Sequence, residues 1–136
     1  SSDLFSPART EFDFLTCDEK IVDAYMDDEN CGFICSTGFY IDLISGIELI
    51  HRTEELEKTP KSLPLFFISG DKDPVGGMGK DVEAVYELYQ QHGFEHISFK
   101  LYEGARHELI NELNKEEVYE DILRWIQAVL KGVLHV

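Results

Sequence analysis

Two short segments carry side chains that can do acid–base chemistry together. One is Gly70-Asp71-Lys72-Asp73-Pro74-Val75-Gly76-Gly77 and the other is Glu103-Gly104-Ala105-Arg106-His107-Glu108. A neutral imidazole acting as general base gains a proton during the reaction, and a carboxylate on its other ring nitrogen fixes the tautomer and stabilises the imidazolium. Taken alone, each segment has an ordinary explanation. An acidic, Gly-rich loop is commonly a turn whose Asp side chains bond backbone amides, and a His in a loop is commonly solvated. Their occurrence in the order acid then His, each directly after an apolar run, is what gives the pair functional weight.

The elements that must position these loops are legible in the apolar pattern. Leu65-Phe66-Phe67-Ile68 is a short continuous apolar run after Pro64, as expected of a strand covered on both faces. Residues 80–91 carry Val82, Val85, Tyr86 and Tyr89 at helical spacing, with Gly93 as the stop. Ile97, Phe99 and Leu101 alternate and predict a strand over 97–102. Asn114 and Glu117 resemble a capping box opening a helix to Leu130, with Val118, Ile122, Trp125, Ile126 and Val129 on its apolar stripe. Strand, helix, strand, helix implies an α/β fold with parallel strands. In such sheets ligands sit beyond the carboxyl ends of the strands, where both loops fall. Upstream, Asp18 caps an expected helix to about Asp28, and Ser36 or Thr37 opens another to about Arg52, weakened by Gly46. Residues 1–17 show no sustained period.

The chain has 136 residues and a formal net charge of −15, from 12 Lys+Arg against 27 Asp+Glu. This balance argues against a nucleic-acid binder and against electrostatic attraction to an anionic membrane. No apolar run approaches the ~18 residues of a transmembrane segment, and no signal peptide is visible, so the expected location is cytoplasmic. Cys17, Cys31 and Cys35 are expected to be reduced thiols, with no metal-ligand spacing among them. Residues 1–60 hold 14 acids and 4 bases, residues 61–136 hold 13 and 8, and the change falls at Thr59-Pro60-Lys61-Ser62-Leu63-Pro64. That break predicts two parts, 1–60 and 61–136.

The run Leu63 to Gly76 resembles the catalytic-acid strand of α/β-hydrolases of the lysophospholipase and monoacylglycerol-lipase type. Gly104-Ala105-Arg106-His107-Glu108 resembles their catalytic-His loop, and Glu117 to Ile126 their last helix. Pro7 to Leu15 and Asp28 to Phe33 are similar to the cap that precedes them. The resemblance implies an α/β fold: the last two parallel strands of a hydrolase core with flanking helices (61–136), preceded by a helical cap or lid segment (1–60). It implies Asp73, three residues after Gly70, as the triad acid and His107 as the base, with Asp71 bonding within the turn. Arg106 and Glu108 would be structural or line the site. No metal or organic cofactor is implied, and the substrate would be a small-molecule ester or lipid.

The family nucleophile is a Ser in Gly-x-Ser-x-Gly, upstream of the acid and the His. Ser36-Thr37-Gly38 matches only the second half of that pattern, with Ile34 where the first Gly belongs, and no other Ser has the flanking glycines. The resemblance therefore implies that the Ser lies upstream and that this chain is the C-terminal portion of a longer serine hydrolase. Its partner would be the missing N-terminal half of the core, and alone it would be inactive. Two other readings stand beside it. Asp71-Lys72-Asp73-Pro74-Val75 fits the nucleophile motif of haloacid-dehalogenase-type phosphatases, though it leaves His107 unused. A non-catalytic binding or regulatory module on hydrolase architecture needs no Ser at all.

Overall fold

The computed structural model describes residues 5 and 7–132. In chain order the elements are α1 (Glu19–Asp27), α2 (Thr37–Ile50), α3 (Thr53–Lys58), β1 (Leu65–Gly70), α4 (Lys80–Gln91), β2 (Ile97–Tyr102), a 3-10 turn (Leu109–Asn111) and α5 (Lys115–Leu130). β1 and β2 pair in parallel, Leu65 opposite Ile97 and Gly70 opposite Tyr102, so both strands end level and their loops emerge side by side.

Side chains alternate across a strand, and the two faces of this pair nucleate two cores. Leu65, Phe67 and Ile97 pack with Leu56, Tyr86, Tyr89 and Phe94, which joins α3 and α4 to one face. Ile68 and Tyr102 pack with Ala105, Leu109, Val118 and Ile122, which brings α5 to the other. Phe66 stacks on Trp125 with ring centroids 5.8 Å apart. The continuous apolar run is thus explained by helices on both sides, although Leu65 to Ile68 are only half-buried.

Local chemistry sets the helix starts. Asp18 accepts from the Lys20 N–H at 3.0 Å and opens α1, and Ser36 accepts from the Phe39 N–H at 3.2 Å and opens α2. The capping box expected at α5 does not form. Asn114 makes no side-chain capping bond. Glu117 instead accepts from Lys100 Nζ at 2.7 Å, a partner supplied by β2 that no local pattern announces. α3 has no counterpart in the sequence reading. It is a single short turn-and-a-half with one buried apolar residue, Leu56, and it is favoured by Glu54 and Glu55 in its first turn and Lys58 in its last.

α2 stands apart. Phe39, Leu43, Ile47 and Ile50, the positions at helical spacing, are 45–67% exposed, as are Tyr40, Ile41, Ile44 and Leu49 around the rest of the helix. No helix among the described residues is long and apolar enough to cross a membrane.

Candidate active site

β1 ends at Gly70, and there the backbone of the His loop crosses it. A Cβ on Gly70 would lie 2.1 Å from the Ala105 carbonyl oxygen and 2.5 Å from that of Arg106. Only glycine permits this approach, and Lys72 N–H then bonds Ala105 O at 2.9 Å. The acid loop next folds back on itself. Gly77, Met78 and Gly79 all take positive φ (60°, 58° and 84°), and Met78 N–H reaches Asp73 O at 2.7 Å. The Gly-rich composition is therefore a backbone requirement of the turn that presents Asp73.

Asp73 is buried, 6% exposed, and its Oδ1 accepts from the Val75 N–H at 2.8 Å. His107 Nδ1 lies 3.2 Å from Asp73 Oδ1 and 3.1 Å from Oδ2. An ionised carboxylate only accepts hydrogen bonds, so Nδ1 carries the proton and Nε2 is the basic nitrogen. Nε2 has no hydrogen-bond partner among the described residues, and the imidazole is 40% exposed, so this face is open to a third group. The structure thus brings together the two residues singled out from the sequence, 34 positions apart in the chain.

Asp71 bonds within its own loop, to the neighbouring Lys72, and also reaches beyond it. Its Oδ1 accepts from the Gly104 N–H at 2.8 Å, tying the acid loop to the His loop, while Oδ2 lies 3.4 Å from Lys72 Nζ. Gly104 presents that N–H from a left-handed conformation, φ +73°.

The periodless stretch before α1 is the largest omission of the sequence reading. It straps the His loop in place. His107 N–H donates to Phe14 O at 3.2 Å and Glu108 N–H to Leu15 O at 2.7 Å. The Arg106 guanidinium donates to the carbonyls of Asp13 and Thr16, the latter at 3.2 Å, and lies over the Phe5 ring. Arg106 is structural here, as expected. Asp13 organises the strap from within, accepting from Arg9 N–H, Thr10 N–H and the Thr10 hydroxyl. Burial pushes its carboxyl up, but these bonds win and hold it below the ordinary range. Leu15 and Thr16 are buried, and Thr16 Oγ1 donates to Asn111 O at 2.9 Å. Glu112, 2% exposed, accepts the N–H of Cys17 and of Arg106. The Cys17 thiol is pushed up by burial first and then by the Glu112 charge. None of this had a sequence signal, because the partners are backbone groups. Among the described residues no cluster of three His, Cys, Asp or Glu side chains could hold a metal.

A carboxylate–imidazole pair on adjacent strand ends, with one ring nitrogen open, can take a proton from a hydroxyl and return it to a leaving group. The family model described as serine aminopeptidase, S33, matches residues 3–114. No curated protein matches the chain. Among solved structures, a highly thermostable carboxyl esterase from Bacillus coagulans in complex with glycerol superposes with a TM-score of 0.78 at 27% identity. The superposition covers 98% of this chain and 42% of that one, so the chain spans less than half the esterase's length. With the family model matching 112 consecutive positions, the pair of level parallel strands and the superposition on the esterase fold, the chain belongs to the serine aminopeptidase S33 family of the α/β-hydrolases.

Proposed function

We propose that this chain supplies the acid and the base of a serine hydrolase that cleaves carboxylic esters, with Asp73 as acid, His107 as base and the nucleophilic Ser outside these 136 residues. The observation that carries the reading is His107 Nδ1 within 3.1–3.2 Å of both oxygens of the buried Asp73 carboxylate, with Nε2 left open. Family membership and the likeness to a carboxyl esterase support the reaction class. In the proposed reaction His107 Nε2 takes the Ser proton as the hydroxyl attacks the ester carbonyl. The tetrahedral intermediate collapses to an acyl-enzyme as the imidazolium protonates the leaving alkoxide, and water then repeats the cycle with His107 as base again. Asp73 holds the tautomer and offsets the imidazolium charge.

Residues 61–136 belong to the core in this reading, and residues 1–60 to a cap that shapes acyl selectivity. Neutral lipid esters such as monoacylglycerols, or lysophospholipids with no net charge, suit a chain of net charge −15, which repels anions. The protein would act in the cytoplasm. Labelling the full-length protein with a fluorophosphonate tests the reading. One labelled Ser, with labelling and p-nitrophenyl ester turnover both abolished in His107→Ala, is the expected result. The 136-residue chain alone should not turn over the ester. An intact full-length protein that takes no label would point to a non-catalytic module, and turnover by the isolated chain would refute the assignment of the Ser.

A further inference from the structure

Glu112 is almost fully buried, and no step of the proposed reaction uses it. Its carboxylate accepts four contacts from three backbone N–H groups: Cys17 at 3.1 Å to each oxygen, Arg106 at 2.7 Å to Oε1 and Leu113 at 3.2 Å to Oε2. A buried charge of this kind is expensive unless its lone pairs are filled. Here they are filled by the neighbouring Leu113 and by two segments 89 positions apart in sequence, one ending the strap at Cys17 and the other immediately preceding His107. On the far side of His107 the strap bonds the loop again, through His107 N–H to Phe14 O and Glu108 N–H to Leu15 O. The His loop is therefore clamped along its backbone, while the imidazole is free to meet Asp73.

We propose that Glu112 is a positioning residue for His107: its buried carboxylate locks the backbone of residue 106 to the strap at residue 17, which fixes where the imidazole stands against Asp73. The catalytic meaning of that position rests on the hydrolase reading above; the positioning itself does not. Glu112→Gln is nearly isosteric but replaces one acceptor oxygen by a donor facing backbone N–H groups, so part of the clamp must open. Placement errors of about 1 Å cost roughly 10²-fold in rate.

The deciding measurement is the downfield Nδ1 proton of His107, followed by NMR in the full-length protein. Asp73→Asn should remove the signal. In Glu112→Gln its exchange with water should rise about tenfold or more, since the clamp is worth on the order of one charge-assisted hydrogen bond. Thr16→Val breaks a different anchor of the strap, its bond to Asn111 O, and should lower stability while leaving the signal in place. An unchanged signal in Glu112→Gln, or the same change in Thr16→Val at matched stability, overturns the proposal. If Glu112→Gln does not fold, native-state amide exchange of the unaltered protein decides. The amides of Cys17, Arg106, His107 and Glu108 should open as one unit, and independent opening of Arg106 and His107 overturns it. In an active protein kcat for an ester should also fall with KM nearly unchanged. A protein without esterase activity would sink the hydrolase reading and leave the NMR outcome decisive for Glu112.

Discussion

Two acids two positions apart have separate work, and substitution should separate them. Asp73 faces the imidazole, so Asp73→Asn in the full-length protein should leave stability nearly intact and lower kcat by roughly 10⁴, the scale of losing the correct His tautomer in a serine triad. Asp71 holds the Gly104 N–H. Asp71→Ala should cost about 1 kcal/mol of stability through that unpaired amide, with a far smaller loss of kcat. Denaturant melts beside steady-state kinetics check both, and equal kinetic losses would refute the division. The acid loop and the His loop were legible from the sequence because each follows an apolar run, while the choice of Asp73 over Asp71 came from the family resemblance. The partner of Asp71 was not legible, since a carboxylate beside glycines has many possible backbone donors and only the crossing of the two loops selects one. Glu112 lay outside the reading for the same reason: a lone Glu before a helix looks like a solvated surface residue.

At the scale of elements, glycine has two contrasting uses. Gly70 has no room for a side chain because the His loop passes over it. Gly70→Ala should push residues 105–106 outward, destabilise the protein by roughly 1–3 kcal/mol and abolish the His107 Nδ1 signal. Gly46, mid-way along α2, has nothing within 4 Å of where its Cβ would be. Gly46→Ala should therefore strengthen α2 by up to about 1 kcal/mol, read as slower amide exchange over residues 43–50 without change elsewhere; faster exchange there would contradict the open surroundings. Strands and long helices were readable to within one or two residues, as their periods are intrinsic. α3 was not, because one apolar residue in six has no period, and it forms where Leu56 docks beside Phe94 and Ile97.

For the molecule as a whole, β2 is fastened to α5 by a polar cluster. Asp121 accepts from Lys100 at 2.5 Å, Arg124 at 2.7 Å and Tyr102 at 3.1 Å. The Lys100 hydrogen bond, opposed by burial and aided by Tyr102 and the two cations, holds the Asp121 carboxyl below its ordinary value of 3.8. A carboxyl depressed in the folded state contributes stability that is full above the unfolded value and is lost as pH falls through the folded one. The Tm advantage of the natural protein over Asp121→Asn should be constant from about pH 7 to pH 5 and shrink below about pH 4; a gap that persists to pH 2 would show that the charge does not matter. At the alkaline end, burial and then the Asp121 charge push the Tyr102 hydroxyl up to about 12.

What the sequence determined by itself was whatever depends on neighbours along the chain: the apolar periods, the order of acid and His, the turn glycines and the absence of a Gly-x-Ser-x-Gly. Those sufficed for an α/β fold and for two candidate loops, and the resemblance to a family then selected Asp73 and His107 within them. Tertiary structure alone decided which backbone groups each buried carboxylate satisfies, that residues 13–17 strap the His loop, and that Asp71 bridges loops. The physical reason is that a hydrogen bond between a side chain and a distant backbone group leaves no periodic trace. Any Asp or Glu can make one, and only the path of the folded chain says which does.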